Sequence, residues 1–217
     1  MYVKVCGITQ LDDALEAVRA GADALGFNCV PSSKRYLAPE QIRAITERLH
    51  GEGAGKTICV AVVADVGRER AASLLDELGV ERLQLHGDES EAELLALGPR
   101  AFKALRVGDA ADVARALAFP GHPLLVDAKV EGQLGGTGHT LDWGLIEPLA
   151  RARPLILAGG LTPENVADAV ARVRPWGVDV ASGVETPGNP RRKDPDRMRR
   201  FVAAARSAAP SNPGPSF

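Results

Sequence analysis

Eight short apolar runs, each followed by a stretch with helical spacing, constrain this chain more than any other feature of its sequence. The runs are Tyr2–Cys6, Ala24–Asn28, Ile58–Ala64, Arg82–His86, Phe102–Val107, Leu124–Asp127, Leu155–Ala158 and Val178–Ala181. Several are continuously apolar rather than alternating, as in Cys59-Val60-Ala61-Val62-Val63. Strands of a parallel sheet covered on both faces read that way. Between them, Leu11, Ala14, Leu15 and Val18 stand at i, i+3, i+4 and i+7, and Val166, Ala169, Val170 and Val173 repeat the spacing.

Local signals mark the ends of the helical stretches. Asp88 with Glu91 reads as a capping box, and Thr162-Pro163 and Asp194-Pro195 read as N-caps followed by proline. Gly21, Gly79 and Gly98 fall where helices would stop. With 217 residues, each unit has roughly 27 residues, enough for a compact single (β/α)8 barrel. A doubly wound open sheet is the alternative that strand counting leaves standing. The expected division is a barrel over residues 1–206 and a disordered tail over 207–217, which is rich in proline and serine and lacks periodicity.

Composition narrows the partners. The net charge is −2 and no dense basic block occurs, which argues against nucleic acid. The longest apolar run, near Ile58 to Ala64, is too short to span a bilayer. Cys6, Cys29 and Cys59 suggest neither a disulfide framework nor a zinc site. The first residues turn at once into Gly7-Ile8-Thr9, leaving no room for a secretory leader, so a cytoplasmic protein is expected.

In such a barrel the chemistry belongs at the C-terminal ends of the strands. Those ends here are Cys6-Gly7, the loop Asn28 to Tyr36, His86-Gly87-Asp88, Asp127 with the later Gly135-Gly136-Thr137-Gly138, Gly159-Gly160 and Ser182-Gly183. The last two pairs offer backbone N–H groups that a phosphate can approach without Cβ interference. Ser182 to Glu185 is a candidate for the short extra helix often found after strand eight. The same glycines also suit plain tight turns. Cys6 reads either as a small buried hydrophobe or as a base or nucleophile. Asp127 reads either as a cap or as an acid whose pKa burial raises. Together they make an acid–base pair across the barrel mouth. His86 either lines the pocket or supports the rim, and it stays outside the catalytic set.

At these positions the sequence resembles the phosphoribosylanthranilate isomerase family. The carrying segments are Lys4 to Thr9, Gln84 to Glu89, Gly135 to Gly138 with Leu141-Asp142-Trp143, Leu157 to Leu161, and Val178 to Glu185, in order and spacing from about Val3 to Phe201. The resemblance implies an Amadori rearrangement of N-(5-phosphoribosyl)anthranilate, a step of tryptophan biosynthesis, with no metal or organic cofactor. It further implies Asp127 as general acid, Cys6 as general base, Arg35 as partner of the anthranilate carboxylate, and Gly159, Gly160, Ser182 and Gly183 as the phosphate cradle. The expected partner is this phosphorylated small molecule, taken up by a monomer or a homodimer.

Three departures stand out: Lys34 before Arg35 where proline is usual, Cys29 where an aromatic is common, and a long stretch from Thr186 to Asp194. Two rivals remain at this level. A histidine-pathway isomerase shares the reaction, but its duplicated phosphate motif has no counterpart in the first half of this chain. A non-catalytic phosphosugar-binding barrel would give no turnover.

Overall fold

The computed structural model describes residues 1–52, 56–128 and 143–209. Eight parallel strands close into a barrel in chain order, the last pairing back onto the first with Tyr2 opposite Gly177 and Val5 opposite Val180. The strands are β1 Tyr2–Cys6, β2 Ala24–Asn28, β3 Ile58–Val63, β4 Arg82–Leu85, β5 Ala101–Val107, β6 Leu124–Ala128, β7 Leu155–Ala158 and β8 Gly177–Val180. Closure excludes the open doubly wound sheet. The helices are α1 Leu11–Ala20, α2 Pro39–Gly51, α3 Arg68–Leu78, α4 Glu91–Leu97, α5 Ala110–Ala118, α6 Trp143–Ala152, α7 Val166–Val173 and α8 Pro195–Ser207. After β8 come a 3-10 turn, Ser182–Val184, and a small antiparallel hairpin of β9, Glu185–Thr186, and β10, Asn189–Lys193.

Strand alternation sorts the side chains into two cores. Outward residues such as Val3, Val5, Leu25, Phe27, Ala61 and Val126 pack with the helices into the larger cluster. Inward residues Ala24, Val60, Phe102, Ala104, Leu125, Ile156 and Ala158 fill the barrel itself. The stripe Val166, Ala169, Val170 and Val173 is buried throughout, as its spacing requires.

Three local expectations need correction. The capping box belongs to Ser90 and Glu93, because Ser90 Oγ accepts from Glu93 N at 3.3 Å while Glu93 Oε2 accepts from Ser90 N at 2.8 Å. Asp88 instead donates its backbone N–H to Asp65 Oδ1. Thr162-Pro163 opens a turn rather than α7: Asn165 Oδ1 accepts from Thr162 N at 2.8 Å, and the helix begins at Val166. β4 ends at Leu85 and β8 at Val180, so His86 and Ala181 stand just past their strands.

Other signals operate as read. Asp194 caps α8 by accepting from Asp196 N and Arg197 N, and α8 runs through Ser207, one residue beyond the expected boundary. Gly21, Gly79 and Gly98 end their helices at φ of 93°, 61° and 62°. The segments Gly135 to Gly138 and Leu141-Asp142, and residues 210–217 of the expected tail, lie outside the described residues.

Candidate active site

A cavity of about 350 Å³ opens at the C-terminal end of the barrel. Cys6, Arg35, Asp127, Gly159, Gly160 and Ser182 all line it, so six of the seven site residues expected from sequence share one space. Gly183 stands behind the wall. A Cβ built on it would fall 1.9 Å from the Leu161 carbonyl oxygen, so this glycine lets the β7 and β8 turns pack backbone to backbone. Gly159 and Gly160 have φ of 92° and 63°, the left-handed region that glycine enters without strain. The short extra helix anticipated after strand eight is the 3-10 turn that begins at Ser182.

Cys6 is buried on the inward face of β1, two residues from Lys4. Space for both comes from Gly26 on the neighbouring strand: a Cβ there would meet Cys6 Sγ at 2.6 Å and Lys4 Nζ at 3.1 Å. Lys4 Nζ donates to Asp179 Oδ1 at 2.9 Å, with the lysine side chain fully buried. Burial alone would lower the lysine pKa, but the Asp179 carboxylate more than offsets that and holds it above its ordinary value. The Cys6 thiol is pushed up by burial, against the pull of Lys4. Burial outweighs the lysine, and the Asp179 carboxylate adds to the upward push.

Asp127 is the next-to-last residue of β6 and faces the cavity. Burial raises its carboxyl above the usual range, with His86 opposing and Asp179 reinforcing the shift. Burial likewise lowers the His86 imidazole below its ordinary value, with Asp127 pulling the other way. The imidazole is held by Gln84, whose Nε2 lies 3.1 Å from His86 Nδ1. Behind it, buried Glu89 accepts from Gly87 N at 3.0 Å, Asp65 N at 2.9 Å and Lys103 Nζ at 2.6 Å, fixing the turn that presents the ring.

Arg35 reaches the mouth across Gly7, where a Cβ would collide with its Cδ. Its Nε donates to Glu185 Oε1 at 2.5 Å. Glu185 also lies 3.4 Å from Lys193 Nζ, which donates to the Ala181 carbonyl at 2.9 Å. The β9–β10 hairpin, the long stretch noted in the sequence, thus straps the β2 loop in place. Arg191 donates to the Tyr36 carbonyl at 3.0 Å and Thr9 donates to the Arg191 carbonyl. Sequence reasoning missed Glu185, Lys193, Gln84 and Asp179. Their polar side chains at strand ends were a signal, but their partners lie up to 175 residues away.

Comparison with known proteins agrees with this geometry. The family model described as N-(5'phosphoribosyl)anthranilate (PRA) isomerase matches residues 3–204. The N-(5'-phosphoribosyl)anthranilate isomerase of Magnetococcus marinus is 44% identical over 206 residues, covering 95% of each chain. The crystal structure of phosphoribosyl anthranilate isomerase from Thermotoga maritima superposes with a TM-score of 0.86 at 40% identity, over 95% of this chain and 99% of that one. Another phosphoribosyl anthranilate isomerase structure, in complex with reduced 1-(o-carboxyphenylamino)-1-deoxyribulose 5-phosphate, gives 0.83 at 37% identity over the same shares. This decides against the histidine-pathway rival. The chain belongs to the N-(5'-phosphoribosyl)anthranilate isomerase family.

Proposed function

We propose that this enzyme converts N-(5'-phosphoribosyl)anthranilate to 1-(o-carboxyphenylamino)-1-deoxyribulose 5-phosphate, the tryptophan-biosynthetic rearrangement of its family, with Asp127 as acid and Cys6 as base. One observation carries the assignment of roles: a carboxyl raised by burial and a buried thiol open into one cavity from different strands.

The chemistry follows from what each step must move. Asp127 gives its proton to the furanose ring oxygen as the C1–O bond breaks, and the nitrogen lone pair forms the C=N bond of a Schiff base. The Cys6 thiolate then takes the C2 proton, and those electrons close a C1=C2 double bond while the C=N pair returns to nitrogen. The enolamine tautomerises to the C2 ketone. The enzyme has lost one proton from Asp127 and gained one on Cys6, so a return transfer restores it. No electron leaves the substrate: C1 is reduced as C2 is oxidised.

Binding divides between the two sides of the cavity. Gly159, Gly160 and Ser182 suit the phosphate, since glycine backbone admits close approach of N–H donors. Gly183 serves that cradle by letting its two turns meet. Arg35 suits the anthranilate carboxylate, because its fork keeps terminal N–H groups for substrate while Nε holds Glu185. The bound compound in the related structure carries both a carboxyphenyl group and a 5-phosphate, which fits this division.

All these residues come from one chain, so a monomer or a homodimer would carry a full set. The catalytic barrel would run through α8, which ends at Ser207. Among the described residues no helix is long and apolar enough to cross a membrane, and free thiols at Cys6, Cys29 and Cys59 suit the reducing cytoplasm. Fluorescence-monitored turnover of freshly made phosphoribosylanthranilate tests the assignment. Conversion by the parent and a rate lower by ~10²–10⁴-fold in Asp127→Asn supports it. Absent turnover by the parent would leave a phosphosugar-binding barrel.

A further inference from the structure

At the end of the barrel opposite the cavity, three ligand types converge from separate elements. His50 stands in the last turn of α2, Cys59 is the second residue of β3, and Glu81 immediately precedes β4. A ring nitrogen, the thiol sulfur and a carboxylate oxygen all lie within 4.8 Å of one another. Cys59 faces outward from the barrel, towards the helical layer. Two of the three residues are already locked together. Cys59 N donates to Glu81 Oε2 at 2.6 Å, and Glu81 N donates to the Cys59 carbonyl at 3.0 Å. The other carboxylate oxygen lies 3.1 Å from His50 Nε2.

The geometry points to a binding site for one thiophilic divalent cation, of the zinc or cadmium type, on His50, Cys59 and Glu81, with water completing its shell. A nitrogen, a sulfur and a carboxylate oxygen are the donor set of such ions, whereas magnesium and calcium require several oxygens. A tetrahedral zinc ion sets its ligand atoms about 3.5 Å apart. The present spacing lies within 4.8 Å, and the His50 side chain, 42% exposed, is not packed into the core. Glu81, 44% exposed, leaves an entry path from solvent, while Cys59 at 1% exposed gives the ion an apolar floor.

Burial, and then the Glu81 charge, push the Cys59 thiol up to about 12. Only an ion that bonds sulfur strongly will displace that proton, which adds to the selection against hard cations and makes the site weaker than one of free thiolates. A bound ion would tie the end of α2 to the starts of β3 and β4. It would leave the cavity at the other end of the barrel untouched.

Cadmium is the suitable probe, because its bond to a thiolate adds a near-ultraviolet charge-transfer absorption. Titrating the full chain with Cd²⁺ should raise that band to saturation at one ion per chain. Cys59→Val should abolish it, and Cys29→Val should keep it. His50→Ala changes an exposed side chain and leaves the core alone. That change and Glu81→Gln should each weaken Cd²⁺ binding by at least ~10-fold, the factor lost even when an outer-sphere partner is removed. Zn²⁺ should raise the thermal midpoint of the parent and not that of His50→Ala, with millimolar Mg²⁺ giving no rise in either. Isomerase activity should be unchanged at Zn²⁺ saturation of the site. No band in the parent, a band that survives Cys59→Val, equal affinity in His50→Ala, or loss of activity on binding would each overturn the site, the last by placing the ion at Cys6.

Discussion

Lys4 Nζ and Asp179 Oδ1 face each other at 2.9 Å inside the barrel, on neighbouring strands, beside the Cys6 thiol. Isolated, that ammonium would favour a thiolate. Paired, it still lowers the thiol's pKa but loses to burial. The balance can be moved. Lys4→Met keeps the volume, removes the only effects of Lys4 that favour the thiolate, and leaves Asp179 to repel it. The pH midpoint for alkylation of Cys6, followed by mass spectrometry of its peptide, should rise. Stability should fall by ~3–5 kcal/mol, because a buried carboxylate loses its partner. An unmoved midpoint would show that Lys4 has no hold on Cys6.

A second prediction concerns the strap on Arg35. Glu185→Gln retains an acceptor for Arg35 Nε but makes the hydrogen bond a neutral one, about half as strong. The guanidinium would then wander from the carboxylate it is proposed to hold. KM should rise several-fold with kcat nearly intact, since the contact is remote from the reacting carbon. Arg35→Lys, which loses the fork altogether, should raise KM further. A fall in kcat at constant KM would mean that Glu185 serves the chemistry and not the binding.

For the phosphate, the two sides of the cradle should respond differently. Gly183→Ala places a methyl 1.9 Å from the Leu161 carbonyl oxygen, so the turns must part; overpacking of this kind costs at least ~1–3 kcal/mol. Its first symptom should be a lowered melting temperature. Ser182→Ala alters a cavity-lining hydroxyl without that clash. It should melt like the parent, show a raised KM, and lose part of its inhibition by inorganic phosphate. Unchanged phosphate inhibition in Ser182→Ala would take the hydroxyl out of the cradle.

How far the sequence could be read depends on the range of each interaction. The strands were legible because being buried on both faces leaves continuous apolar runs, as at Cys59 to Val63. Cys6 and Asp127 were legible as reactive groups at the ends of such runs, and both line the cavity. The capping error at Asp88 arose because two acceptors stood within two residues, and only tertiary contact with Asp65 decides between them. Gly26 gave no warning at all. Its need for a missing Cβ arises from Cys6 and Lys4 on the next strand, not from any turn of its own. The Lys4–Asp179 and Arg35–Glu185 pairs, 175 and 150 residues apart, were out of reach of any local pattern.

The final prediction follows from the opposed demands on Asp127 and Cys6. In the proposed roles the acid must carry its proton and the base must have lost its own. Burial raises both groups, yet the aspartate starts from 3.8 and the thiol from 9.0, so the thiol should remain the higher of the two. The active form, protonated Asp127 with ionised Cys6, is then a minority at every pH. Below the Asp127 pKa, activity should climb with pH as thiolate accumulates. Between the two pKa values gain and loss cancel, giving a plateau in kcat/KM. Above the Cys6 pKa, activity should fall as protonated Asp127 runs out. The breaks therefore lie at the Asp127 value on the acid side and the Cys6 value on the alkaline side, the reverse of a naive assignment by slope. Asp127→Asn should cut kcat/KM by ~10²–10⁴-fold. Its residual rate should rise with pH to the thiol's pKa and then stay level. Cys6→Ser should be comparably slow, with a residual rate that is flat in acid and declines above the aspartate's pKa. A Cys6→Ser profile that still climbs through the acid range would mean that another group removes the C2 proton.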